Sequence, residues 1–208
     1  HGKTMAAWMQ TATGVVFDLD CPSAKNVRAV DIAIHLTNIQ RFSGAAESGT
    51  TSFAIQTTVA AHSCRVLDLV MSESVREALG FSSEKPSAAL QLQALLHDAH
   101  EAYIGDISSP VKATLPERAK TELKELATRV DVAIGEAFGV DMHNAPLIHA
   151  CDMLALHWER TFYLGLEASP WVQSDRYNSL LKKLLPYLPG LGKRAPWLSL
   201  ANFDPRPV

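Results

Sequence analysis

The sequence predicts an all-α protein that folds as a compact multi-helix bundle, in one domain spanning residues 1–208 with its core at about 30–165. Three observations support this fold class. Apolar residues recur every three or four positions over several stretches, as in amphipathic helices. Hydrophobic residues make up 47% of the chain, enough for a continuous core in a domain of this size. No internal repeat or long linker divides the sequence.

The predicted elements follow one another with short connections. Residues 5–25 indicate an irregular or short-strand entry, because glycine, proline and aspartate interrupt any helical pattern. A first helix begins at Asp31, a possible N-cap, and ends near Phe42. A loop rich in glycine and serine follows over 43–52. Further helices are predicted at about 56–79, 86–104, 117–138, 146–164 and 174–185, before a proline-rich tail.

The composition argues against several partners. A formal net charge of -3 gives no basis for binding a nucleic-acid polymer. No apolar stretch approaches the roughly 18 to 20 residues of a membrane-spanning helix, so we expect no membrane association. The three cysteines form no CxxC pair, and we see no secretory leader ahead of them. A reducing compartment, by default the cytoplasm, is therefore expected.

Two ionisable residues, His97 and Asp98, stand side by side in the most apolar predicted helix. Burying such a pair is costly unless each group is paired or bound to a cation. Imidazole and carboxylate together suit one divalent transition metal ion, such as Zn, Mn, Co, Fe or Ni. Because neighbouring helical residues point about 100° apart, other helices must complete the coordination. His62 and Asp152, on the inner faces of two other predicted helices, are the candidates.

Each of these two candidates has a simpler interpretation when taken alone. A single histidine on an apolar helix face, such as His62, is more often a hydrogen-bonded core residue. Asp152 has a possible ion-pair partner in Arg160, two turns later. The adjacent His97-Asp98 pair favours metal binding, because the simpler interpretations leave several buried charges without partners.

The order His62, His97-Asp98, Asp152 resembles the H…HD…D signature of the HD-domain phosphohydrolase superfamily. The run from His97 to Lys112, HDAHEAYIGDISSPVK, is similar to the HDxxE…GD…(S/T)PVK pattern of the YfbR-like 5'-deoxynucleotidases and of the DatZ-type dATP triphosphohydrolases. Together with Arg41-Phe42, the resemblance covers about residues 30–165. It implies an HD-domain fold with a metal-dependent phosphohydrolase site.

The resemblance also implies roles for two carboxylates. Glu101 would act as a general acid or base, which its position one turn from His97 favours. Asp106, which follows Gly105, would orient a water or a sugar hydroxyl. The alternative for Glu101 is a surface residue at a helix end. We treat His100 as a non-ligand that points away from the site.

Contacts to the substrate are implied for five further residues. Arg41 and Lys112 would bind phosphate, or are ordinary solvated charges. The Phe42 ring, where relatives commonly have tryptophan, would stack on sugar or base. Ser109 and Pro110 would favour deoxyribose.

The predicted function is metal-dependent removal of phosphate from a small-molecule substrate, a deoxynucleoside monophosphate. Two alternatives are a triphosphohydrolase that releases a deoxynucleoside and triphosphate, and a non-catalytic sensor of metal and nucleotide. Intact Glu101 and Asp106 argue against the sensor. Because relatives assemble as dimers or larger rings, we expect a homo-oligomer.

Overall fold

The structure, a computed structural model, describes residues 7–45, 57–143 and 145–164. It begins with an antiparallel hairpin in which β1 (Trp8–Gln10) pairs with β2 (Val16–Asp18). Short 3-10 turns follow at Ala24–Asn26 and Arg41–Gly44. The helices are α1 (Ala29–Asn38), α2 (Val59–Met71), α3 (Glu73–Ala78), α4 (Ala88–Leu96), α5 (Glu101–Ile104), α6 (Ser109–Thr114), α7 (Glu117–Phe138) and α8 (Pro146–Leu164). The helical fold class and the short-strand entry are confirmed.

Two differences from the predicted helices concern where helices begin and end. The helix predicted at 56–79 is broken at Ser72, whose extended backbone (ψ 116°) separates α2 from α3. Helix α6 lies where no separate helix was predicted. The helix predicted at 174–185, the proline-rich tail and most of the 43–52 loop lie outside the described residues. Within the described residues, every helix is too short or too polar to cross a bilayer.

Asp31 is not the cap of α1, which corrects the sequence prediction. The cap position is Arg28, and Asp31 lies fully buried in the first turn. Its carboxylate accepts hydrogen bonds from the Thr13 backbone N–H (2.7 Å) and the Thr13 hydroxyl (2.8 Å). Asp31 therefore ties the hairpin loop to α1, because a buried carboxylate is stable only where such donors reach it.

Helix α2 lies between two hydrophobic clusters and places His62 at the centre of the bundle. On one side, α2 packs against α8 through Val66, Leu69, Val70, Ile148 and Leu154. On the other side, its N-terminal part joins a cluster formed by the hairpin, α1, α5 and α7 through Val59, Ala60, Phe17, Ile32, Tyr103 and Ile134. His62 lies between these two apolar sets on α2 and is fully buried.

Candidate metal centre

His97 and Asp98 lie just after α4, in a turn that is tighter than an α-helix. The Ala99 N–H donates to the carbonyl of Leu96 (2.8 Å), and the Glu101 N–H donates to that of Asp98 (3.0 Å). This three-residue spacing is that of a 3-10 turn. The continuous helix predicted over 86–104 is therefore wrong at this point.

The tight turn decides which side chains share a direction. With about three residues per turn, side chains three positions apart lie above one another. Glu101 is thus aligned with Asp98, and His100 with His97. The prediction that His100 points away from the site depended on α-helical spacing, which does not hold in this turn.

The four predicted ligands converge from three parts of the fold. His62 comes from α2, His97 and Asp98 from the turn after α4, and Asp152 from α8. His62 Nε2 lies 3.0 Å from Asp152 Oδ1 and 3.7 Å from Asp98 Oδ2. His97 Nε2 lies 3.2 Å from Asp98 Oδ2. Ligand atoms of His62, His97 and Asp152 all lie within 4.8 Å of one another, so these residues form a group that could hold a metal ion.

The state of His97 tests whether this group suits a cation. Its Nδ1–H donates to the carbonyl of Ala94 (2.9 Å), which leaves Nε2 with an unshared electron pair. This Nε2 is buried and makes no hydrogen bond with the described residues. An unprotonated nitrogen 3.2 Å from the Asp98 carboxylate oxygen is unfavourable, and a divalent cation bound by both atoms would satisfy them. Two imidazoles and two carboxylates therefore fit one transition metal ion.

In the protein without a metal ion, the charges of the cluster favour the protonated form of His97. Burial disfavours ionisation of both His97 and Asp98, but their close contact outweighs it. The pKa of His97 is raised by the Asp98 carboxylate, and the pKa of Asp98 is lowered by the imidazole. Because a metal ligand must be deprotonated, metal affinity should strengthen as the pH rises.

Glu159, on α8, is a buried carboxylate of the site that sequence reasoning missed. Its Oε1 accepts hydrogen bonds from His62 Nδ1 (2.9 Å) and from Arg65, and its Oε2 accepts one from Arg41 Nε (3.0 Å). Burial opposes ionisation, but the charges of His62 and Arg41 outweigh it and lower the pKa of Glu159 well below its usual range. One feature of the sequence could have identified Glu159: it lies two helical turns after Asp152, on the same face of the helix.

A cavity of about 340 Å³ opens beside the tight turn and is lined by Glu101, His100, Gly105, Lys112 and residues of α7. Glu101 is 7% exposed, and its Oε2 makes no hydrogen bond with the described residues. Burial, followed by the charges of Asp98 and Asp106, raises the pKa of Glu101 to about 9. Its environment therefore favours the protonated form of Glu101, which is the form that a general acid needs.

The predicted substrate residues are only partly brought together. Lys112, on α6, lines the cavity, and Asp106 lies near enough to Glu101 to raise its pKa. Ser109 and Pro110 lie exposed in the first turn of α6 and are not among the residues that line this cavity.

Arg41 and Phe42 begin the 3-10 turn Arg41–Gly44, and Arg41 reaches the cluster. The side chain of Arg41 is only 13% exposed, and its Nη1 lies 3.9 Å from Asp98 Oδ2. Phe42 adopts the left-handed backbone region (φ 54°), as does Ser43 (φ 53°). This conformation costs roughly 1 kcal/mol or more for a residue with a side chain. The guanidinium of Arg41 lies 5.6 Å from the centroid of the Phe42 ring.

His100 lies at the site, contrary to the prediction that it points away. It lines a second cavity, of about 240 Å³, together with His97, Asp98 and Asp152. Its Nδ1 lies 3.1 Å from Asp131 Oδ1, on α7. His100 is not part of the group that could hold a metal ion, so its status as a non-ligand remains a prediction.

The raised pKa of Glu101 has a consequence for stability. A folded-state pKa of about 9, against an ordinary value of 4.5, means that the folded protein retains a proton that the unfolded chain releases. The retained proton stabilises the folded state. This stabilisation is complete below the unfolded pKa and is lost as the pH rises towards the folded pKa. In metal chelator, Glu101→Gln should therefore increase the free energy of unfolding at pH 8 by on the order of 1–3 kcal/mol.

Urea denaturation at pH 5 and pH 8 checks this expectation. The increase in the free energy of unfolding caused by Glu101→Gln should be smaller at pH 5 than at pH 8. Glu122→Gln is the matched control, because the Glu122 side chain is 60% exposed. A Glu101→Gln protein that is less stable than the wild type at pH 8 would contradict the burial of a protonated carboxyl.

Comparison with known proteins agrees with this geometry. The family model described as 5'-deoxynucleotidase YfbR-like matches residues 32–145, more than half of the chain. The uncharacterized protein YfdR of Escherichia coli (strain K12) is 27% identical over 192 residues, which cover 88% of this chain and 88% of YfdR. The matched segment contains His62 and the whole His97 to Lys112 run, which carried the resemblance in the sequence. This chain belongs to the YfbR-like family, the HD-domain 5'-deoxynucleotidase family.

Proposed function

We propose that this protein is a metal-dependent phosphohydrolase that removes the 5'-phosphate from deoxynucleoside monophosphates. The observation that supports it most is the convergence of two imidazoles and two carboxylates near the buried carboxyl group of Glu101, whose pKa is raised. Membership of the YfbR-like family indicates a hydrolase and supports the same substrate class. The surrounding residues suggest how the chain would carry out the reaction.

His62, His97, Asp98 and Asp152 would hold one divalent transition metal ion. When bound, such an ion lowers the pKa of a water and offsets the negative charge of a phosphate. His62 and His97 are prepared for this role, because each uses Nδ1 for a hydrogen bond and directs Nε2 into the cluster.

Two cations would bind the phosphate of the substrate. Arg41 is held beside Asp98 at the cluster, where a guanidinium can pair with two phosphate oxygens. Lys112 would approach from α6, across the cavity that Glu101 lines. They supply local positive charge in a chain whose formal net charge is -3.

As the oxygen of a water bonds to phosphorus and the bond to the 5'-oxygen breaks, Glu101 would donate its proton to that oxygen, so that the nucleoside leaves as a neutral alcohol. The proton released by the water would restore the Glu101 carboxyl. Asp106, close to Glu101, would accept a hydrogen bond from a sugar hydroxyl or a water. The Phe42 ring would stack on the sugar or base. We retain Ser109 and Pro110 as proposed contacts to the sugar, although both lie at the exposed start of α6.

A triphosphate substrate is the second candidate, and one observation favours it. Besides Lys112, the cavity beside Glu101 is lined by Lys120 and Lys124. These two lysines lie one helical turn apart on α7, so further phosphates would meet positive charge there. The reaction would then release a deoxynucleoside and triphosphate.

A substrate assay separates these possibilities. Purified protein is incubated with dAMP, AMP and dATP in the presence of Mn²⁺, Co²⁺ or Zn²⁺, and phosphate is resolved from triphosphate. We expect phosphate from dAMP, released faster than from AMP. Triphosphate released from dATP would establish the second candidate instead. Nucleotide binding without turnover would indicate a sensor, and no turnover with any of the three metals would contradict both hydrolase functions.

A further inference from the structure

Glu159 contacts both a proposed metal ligand and the proposed phosphate-binding arginine. We propose that Glu159 is a positioning residue that holds His62 and Arg41 together, so that one buried carboxylate sets the affinity for metal and the affinity for phosphate. This inference rests on the proposed function. It assigns a role to a residue that the predicted site did not include.

The contact with His62 determines which of its two ring nitrogens keeps a proton. Because the carboxylate can only accept, the 2.9 Å contact requires the proton of His62 to lie on Nδ1. Nε2, which lies 3.0 Å from Asp152 and 3.7 Å from Asp98, is then the ring nitrogen that would bind a metal ion. Such a carboxylate partner also orients the ring and makes its free nitrogen a better ligand.

The contact with Arg41 orients a different part of the site. Arg41 donates from Nε to Glu159 Oε2 at 3.0 Å, and this bond uses neither of its two terminal nitrogens. One of them, Nη1, is directed towards Asp98 at 3.9 Å. An arginine held by Nε keeps its remaining donors in a fixed plane, so less rotational freedom is lost when phosphate binds.

Arg65 keeps Glu159 from leaving this position. It pairs with Glu159 Oε1, and its Nη2 donates to the Tyr163 hydroxyl at 3.0 Å. Its guanidinium also lies 4.8 Å from the centroid of the Trp158 ring. Because Arg65 also pairs with the Glu159 carboxylate, this carboxylate is held between two guanidinium groups, Arg65 at Oε1 and Arg41 at Oε2.

The test compares Glu159→Gln with Asp31→Asn, which changes another fully buried carboxylate to an amide, one whose hydrogen-bond partner is Thr13 of the hairpin loop. Affinity for Mn²⁺ alone is measured by calorimetry, and affinity for inorganic phosphate by competitive inhibition at saturating Mn²⁺. Glu159→Gln should weaken Mn²⁺ binding by about 10- to 100-fold, as loss of such a partner typically does. Phosphate affinity should fall as well, whereas Asp31→Asn should change neither affinity.

Arg41→Ala separates the two contacts of Glu159. In the wild-type background it should weaken phosphate binding and leave Mn²⁺ binding intact, because the bond from His62 to Glu159 remains. In the Glu159→Gln background, Arg41→Ala should cause a smaller further loss, since Arg41 is already poorly held. Equal losses in the two backgrounds would contradict a positioning role towards Arg41.

The outcomes also distinguish failure of this inference from failure of the proposed function. If the wild type binds Mn²⁺ and Glu159→Gln binds Mn²⁺ and phosphate equally well, Glu159 has no positioning role and the proposed function stands. If the wild type binds no divalent metal, both fail. Should Glu159→Gln not fold, Glu159→Asp retains the charge, and its shorter side chain should still weaken both affinities. Unchanged affinities in that variant would overturn the inference.

Discussion

Replacing Asp98 with asparagine is expected to lower kcat/KM for dAMP on the order of 10³-fold or more, because it removes an anionic ligand at the centre of the cluster. Asp98 Oδ2 lies 3.2 Å from His97 Nε2, 3.7 Å from His62 Nε2 and 3.9 Å from Arg41 Nη1. The amide keeps the shape of the side chain and loses its charge. Steady-state kinetics at saturating metal, together with metal analysis of the purified variant, measure the effect.

Asp131→Asn provides the control for that substitution. Asp131 is another carboxylate of the same cavity, where it lies 3.1 Å from His100 and outside the proposed metal cluster. Its variant should lose much less activity and keep its metal. Equal losses for the two variants, or an active Asp98→Asn enzyme, would show that Asp98 does not hold the ion.

Glu101→Gln is expected to lower kcat by about 10²- to 10⁴-fold while the metal remains bound, because the amide cannot deliver a proton to the leaving oxygen. The same variant should be the more stable protein at pH 8, since its side chain does not ionise in a buried site. Parallel measurement of kcat, metal content and urea stability checks both parts. Full activity in a metal-loaded Glu101→Gln enzyme would exclude Glu101 as the general acid.

The sequence predicted the helical class, but not where two helices end. Periodic apolar residues continue across Ser72 and across His97–His100, and neither break contains glycine or proline. Local preferences therefore favour an uninterrupted helix at both positions. In the structure, hydrogen bonds of three-residue spacing tighten the chain after Leu96. Such choices depend on tertiary packing, which a linear pattern does not contain.

The candidate site was also predicted from the sequence only in part. His62, His97-Asp98 and Asp152 were predicted because a buried charge needs a partner, and the structure brings them together. Glu159 was not predicted, because its role depends on contacts across the chain. Arg41 lies 118 positions away from it in sequence. The position of a residue on one helix face can suggest that it belongs to the site, whereas only the fold shows which residues it contacts.

The most direct test of the proposed metal centre is anomalous diffraction from crystals grown with excess Mn²⁺. A single peak is expected at about 2.0–2.3 Å from His62 Nε2, His97 Nε2 and the carboxylate oxygens of Asp98 and Asp152. Four side chains that point apart, with no peak between them, would contradict the metal centre and the hydrolase function built on it.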